Sequence, residues 1–140
     1  MIKYIQSYCK SLADNGCYLF CLFDIAEKVT GKKFDIIKES DFFIENKWIK
    51  FNKNNYSDKN NFFVLNPCKI LESLTGLTWT VRKEGKGYIP EEKDIYIEFW
   101  SIDGYSGHFA RTYDDFNSLE YSRNVGEGNV ISYRVFNIVR

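Results

Sequence analysis

Residues 12–31 read Leu12-Ala13-Asp14-Asn15-Gly16-Cys17-Tyr18-Leu19-Phe20-Cys21-Leu22-Phe23-Asp24-Ile25-Ala26-Glu27-Lys28-Val29-Thr30-Gly31, and the reading of this stretch decides the fold. Apolar residues recur at Leu19, Phe20, Leu22, Phe23, Ile25, Ala26 and Val29, which is a helical period. Asp14 or Asn15 can cap its start, and Gly31 stands where a helix ends in a left-handed residue. The spacing predicts one helix over residues 12–30. It is apolar on more than one face, as a central, buried helix is.

Working outward, residues 36–49 predict a second helix, with Phe42, Phe43, Ile44, Trp48 and Ile49 as its apolar surface. Residues 52–61 are rich in Asn and read as a polar loop. Asn66-Pro67 then opens a short helix: Asn66 caps, Pro67 takes the first helical position, Ile70, Leu71 and Leu74 face inward, and Gly76 stops it. Beyond Gly76 the period changes to that of strands, over residues 77–82, 95–100, 108–113, 119–123 and 130–138. Helices first and strands after predict an α+β fold, with the helices packed on one C-terminal antiparallel sheet. A chain of 140 residues without an internal linker or repeat reads as a single domain over residues 1–140.

Composition narrows the function classes. Lys plus Arg and Asp plus Glu number 19 each, so the formal charge is zero. Neither sign clusters, which removes the electrostatic footprint of a nucleic-acid binder. Lys50, Lys53 and Lys59 share their Asn-rich stretch with Asp58 and read as a solvated loop. The start, Met1-Ile2-Lys3-Tyr4-Ile5-Gln6, has no signal-peptide pattern, and no apolar run reaches membrane-spanning length. A cytoplasmic protein without membrane insertion is expected, with release on cell lysis as a route outward. In that compartment Cys9, Cys17, Cys21 and Cys68 are expected as thiols rather than disulfides, and the lack of C-x2-C spacing gives no zinc pattern.

A thiol attacks an amide as its thiolate, which a helix N-terminus and a neighbouring imidazolium both favour. Cys17 opens the buried helix directly after Gly16, whereas Cys21 lies a turn further in and Cys9 lacks a comparable position. Cys68 also falls in the first turn of its helix. Each could equally be a small core hydrophobe, the commoner fate of a free cysteine. The chain has one histidine, His108, preceded by Ser106-Gly107 and followed by an apolar strand. Its intrinsic pKa suits it to activate a thiol and to protonate a leaving amine. Tyr96, Phe99, Trp100 and Tyr105 could line a cleft beside it, although sheet packing also accounts for them.

Gln6, Asn15-Gly16-Cys17, the helix ending in Thr30-Gly31, and Gly107-His108-Phe109 together resemble the papain-like cysteine peptidases of the bacteriocin-leader (double-glycine) type. The resemblance spans both ends of the chain, with a compatible helix layout between them. It implies a papain-like fold whose central helix carries the nucleophile, and a cysteine peptidase or amidase acting on a peptide or peptidoglycan-peptide substrate; the small size and expected lack of export suit an endolysin. It further implies Cys17 as nucleophile, His108 as base and then acid, and Gln6 with the Cys17 N–H as the oxyanion hole. Tyr18 departs from the pattern, because relatives often carry a small or acidic residue there. No cofactor and no metal is expected, and the protein is expected to be a monomer.

The residue that orients the imidazole should lie on the strand paired with that of His108. If residues 114–117 form the turn, Tyr113 pairs with Ser118 and His108 falls opposite Arg123. One more loop residue, or a bulge, places Asn124 there instead. Asn124 can accept from an imidazole N–H and Arg123 cannot, so Asn124 is chosen, with Asp103 and Asp114 as alternatives. A non-catalytic interaction module on the same scaffold is the rival reading. A third is a metal site built from Cys9, Cys17, Cys21 and His108.

Overall fold

The structure is a computed structural model describing residues 2–101, 107–111 and 129–140, with side chains from residue 6 onward. The chain divides into two compact units, Met1–Gly76 and Leu77–Arg140.

The first unit holds helices α1 (Ile2–Asn15), α2 (Cys17–Thr30), α3 (Ile36–Glu45) and α4 (Pro67–Thr75), with a two-stranded ribbon of β1 (Ile49–Lys50) and β2 (Phe63–Val64). The single helix expected over residues 12–30 is therefore two helices that meet at Gly16. Bonds from Gly16 N to the Leu12 carbonyl and from Phe20 N to the Gly16 carbonyl, both 2.8 Å, carry helical turns up to and away from the junction. Gly16 itself leaves helical geometry at φ −92° and ψ 16°. A Cβ at this position would stand 2.4 Å from the Leu12 carbonyl oxygen, so only glycine allows the close approach. The expected cap is corrected as well. Asp14 lies in the last turn of α1, ion-paired at 2.8 Å with Lys10, and no side chain caps α2. At the far end Gly31 adopts φ 72° and its N–H donates to the Glu27 carbonyl, as expected of a left-handed terminus.

Helix α3 begins where Asp35 Oδ1 accepts from Lys38 N at 3.1 Å. It stops at Glu45 rather than continuing through Ile49. Lys47 turns the chain out at φ 62°, and Trp48 leads Ile49 into β1, where Ile49 is buried. A strand placed there buries Ile49 and leaves Lys50 outside, which a helix continuing past Glu45 has no need to do. Helix α4 is as its punctuation predicts, with Asn66 Oδ1 accepting from Lys69 N at 3.1 Å and Gly76 at φ 75°. Helix α2 packs on α4, and Leu19, Leu22, Ile25, Ile70 and Leu71 are fully buried.

The polar loop over residues 52–61 is present, but Asn61 is not solvated. It is 1% exposed, its Oδ1 accepts from Asn52 N at 2.7 Å, and its Nδ2 donates to the carbonyls of Asn55 and Tyr56. One buried amide thus closes the whole loop on itself. Phe62 follows at φ 66°, a strained value for a bulky residue, held by its N–H bond to the Lys50 carbonyl at 2.8 Å.

The second unit is a sheet of β3 (Trp79–Gly85), β4 (Ile95–Ser101), β5 (His108–Ala110) and β6 (Asn129–Ile138), in the order β3-β6-β4-β5. All its pairings are antiparallel, and a bulge interrupts the β4–β6 register between Phe99 and Trp100. The strand expected over residues 119–123 lies outside the described residues. Trp79, Ile97, Trp100, Ala110, Val135 and Phe136 are the buried apolar residues of these strands. On the exposed β3, Arg82 donates to Glu84, to Asn137 and to the Tyr88 hydroxyl, which in turn donates to Asp94. This network ties the turn after β3 to the sheet. Helices followed by an antiparallel sheet make the chain α+β, with the β1–β2 ribbon as an addition the sequence did not announce. Among the described residues no helix is long and apolar enough to cross a membrane.

Candidate functional site

Cys17 is the first residue of α2 and half-buried. The N–H groups of the first turn of α2 give this position a partial positive charge, although the Gly16 N–H itself donates to the Leu12 carbonyl, and the first turn carries no acidic residue to oppose it. Cys21, one turn on, is buried among core residues. Cys68 also occupies a first turn, but burial pushes its thiol pKa up, away from thiolate. All four cysteines are free thiols. Cys17 thus has the most favourable helix-terminal position of the four.

Gln6 lies in the second turn of α1 with its side chain exposed. Nine residue steps along the helix take it to Asn15, a rise of about 14 Å along the axis. The sequence pattern counts this interval only as spacing, whereas the helix fixes it as a length.

His108 opens β5 opposite Trp100 of β4, with Ala110 opposite Glu98 on the same sheet face. Trp100 and Ala110 form a buried cluster joined by Val130. Before His108, Gly107 sits at φ 153°, and a Cβ there would meet Phe99 Cζ at 2.2 Å. The Phe99 ring lies against Phe109 at 4.5 Å between centroids, so glycine makes room for this pair at the start of the strand. His108 is 5% exposed, and burial lowers its pKa to about 4. The imidazole is consequently neutral at neutral pH, the form in which a histidine acts as a base.

Cys17 belongs to the first unit and His108 to the second. Asn124, Asp103, Asp114 and Tyr105 lie outside the described residues. Of the other aromatic residues expected beside the histidine, Trp100 is in the buried cluster and Tyr96 packs on Tyr133 at 5.9 Å. Among the described residues no group of three or more His, Cys, Asp or Glu side chains could hold a metal ion, and Cys9, Cys17, Cys21 and His108 form no such group.

The first unit also contains a cleft of 440 Å³ that the sequence did not reveal. Tyr8 of α1 and Phe51 and Tyr56 of the loop after β1 supply its aromatic walls. Asp41 and Glu45, four residues apart on α3, bring two carboxylates to it, and Lys53 one ammonium. The aromatic rings support one another, with centroids 5.5 Å apart for Tyr8 and Phe51 and 5.3 Å for Phe51 and Tyr56. Burial, reinforced by the Asp41 carboxylate, pushes the Tyr8 phenol above its ordinary range, so it stays protonated. The only sequence signal for this site is the pair of acids at i, i+4 spacing on α3. Nothing in the linear order joins them to Tyr8 or to the Asn-rich loop.

Comparison with known proteins places the chain in a family. It belongs to the family described as protein of unknown function DUF261, whose model matches residues 3–138. No curated protein and no solved structure matches it.

Proposed function

We propose that the protein is a papain-like cysteine hydrolase cleaving a peptide or cell-wall peptide amide. The observation that carries this reading is the position of Cys17, first residue of α2 directly after the Gly16 junction, where the helix N-terminus favours thiolate. The α+β order and the start of β5 at His108 agree with the resemblance between the chain's two ends and papain-like peptidases. In this mechanism Cys17 attacks the amide carbonyl while His108, neutral at rest, takes the thiol proton and then passes it to the leaving amine. Water then hydrolyses the thioester, with His108 again as base. The resemblance supplies Gln6 as oxyanion donor and Asn124 as the residue orienting the imidazole. A monomer acting on peptide or peptidoglycan-peptide, made in the cytoplasm and released on lysis, fits an endolysin-like role.

One observation favours the rival reading of a non-catalytic module: His108 is almost wholly buried beside the Trp100 cluster, as a structural histidine would be. Iodoacetamide labelling at neutral pH separates the two. The hydrolase reading expects selective alkylation of Cys17, slowed in His108→Gln, together with peptide hydrolysis or cell-wall clearing that Cys17→Ala abolishes. Equal labelling of Cys9, Cys17 and Cys68, with no hydrolysis, would decide for the module.

A further inference from the structure

We infer that the cleft between α1, α3 and the loop after β1 is a binding site for an organic cation, an ammonium or guanidinium carried on an aliphatic chain. This goes beyond the hydrolase reading and uses none of its residues. The argument begins with charge. Asp41 and Glu45 give the cleft two carboxylates against the single ammonium of Lys53, and no ion pair among the described residues joins Lys53 to either acid. The lining is net negative, with carboxylates available to a ligand.

The walls add a second preference. Phe51, Tyr56 and Tyr8 line the same cleft, and aromatic faces attract cations while accommodating an aliphatic stem. The Tyr8 phenol stays protonated beside the Asp41 carboxylate, so it adds no charge of its own to the lining. An ammonium or guanidinium has several N–H donors and can meet both carboxylates, whereas an anion would face two like charges. Ile37 and Ile44 add apolar lining suited to the stem. The volume falls within the range of small-molecule sites.

The loop wall is preformed. Asn61 holds the carbonyls of Asn55 and Tyr56 from inside the loop, so Lys53 and Tyr56 are positioned before any ligand arrives.

The test is an NMR titration of the full chain with N-acetyl-lysine amide, N-acetyl-arginine amide and the uncharged N-acetyl-norleucine amide. Either cationic amide should shift backbone resonances of residues 37–45 and 51–56. Their affinity should exceed that of the norleucine amide by at least about fivefold, and should fall by a similar factor in Asp41→Asn/Glu45→Gln. Both acids are exposed on a helix surface, and the variant's spectrum reports directly whether it has folded. Equal binding of the uncharged amide, unchanged binding in the double variant, or no shift of these resonances would overturn the proposal. Butylguanidinium, a monocation without peptide groups, distinguishes the source. Its binding as well as the arginine amide assigns the site to free cations, and its binding more weakly assigns it to peptide side chains.

Discussion

Two single residues show how far a side chain's surroundings govern its effect. Gly16 stands at the α1–α2 junction with no room for a Cβ against the Leu12 carbonyl. Gly16→Ala should cost about 1–3 kcal/mol in urea unfolding, because the backbone of one helix must move away from the other. His108 titrates near 6.5 in an unfolded chain and near 4 in the native one. As pH falls from above 6.5 toward 4, the unfolded chain binds a proton that the buried imidazole refuses. The native state is thus fully favoured above 6.5 and loses on the order of 2 kcal/mol across this window. His108→Gln should flatten that slope in a series of urea midpoints against pH, and an unchanged slope would place the titration elsewhere. The same burial predicts that, if Cys17 and His108 act together, the acid limb of kcat/KM lies near pH 4 instead of near 6.5.

At the scale of elements, caps and loop pins separate what is local from what is not. Asn66→Ala removes the bond to Lys69 N and should lower stability by about 1 kcal/mol, measured by denaturant midpoint. That cap was legible in the sequence because a side chain bonding a backbone three residues on needs no distant partner. Asn61→Ala should cost more, roughly 2–3 kcal/mol, because it leaves three part-buried backbone groups of the 52–61 loop without these partners. It should also weaken cation binding in the cleft by loosening the wall that carries Lys53 and Tyr56. In the sequence Asn61 is one more Asn in a polar run, and nothing local distinguishes it from its exposed neighbour Asn60. The break at Gly16 escaped the periodicity for a related reason. Apolar spacing continues across it, and only the geometry of the junction reveals that two helices meet there.

For the whole molecule, the candidate chemistry is divided between the units, with the thiol of Cys17 in one and the imidazole of His108 in the other. The hydrolase reading therefore expects that alkylation of Cys17 responds to a substitution at residue 108, a coupling that neither unit can show alone. The cation cleft, by contrast, belongs wholly to the first unit. Sequence by itself determined the helix over residues 67–75, the left-handed stop at Gly31, the β period after Gly76 and hence the α+β class. Capping, backbone dihedrals and side-chain periodicity are set by residues a few positions apart. It also singled out Cys17 and His108 as reactive types in suggestive positions. Only the tertiary structure decided that Asn61 is buried, that His108 is desolvated enough to lower its pKa, and that Tyr8, Asp41 and Phe51 line one cleft. Burial, desolvation and shared surface arise from residues far apart in the chain, and linear spacing carries no measure of them.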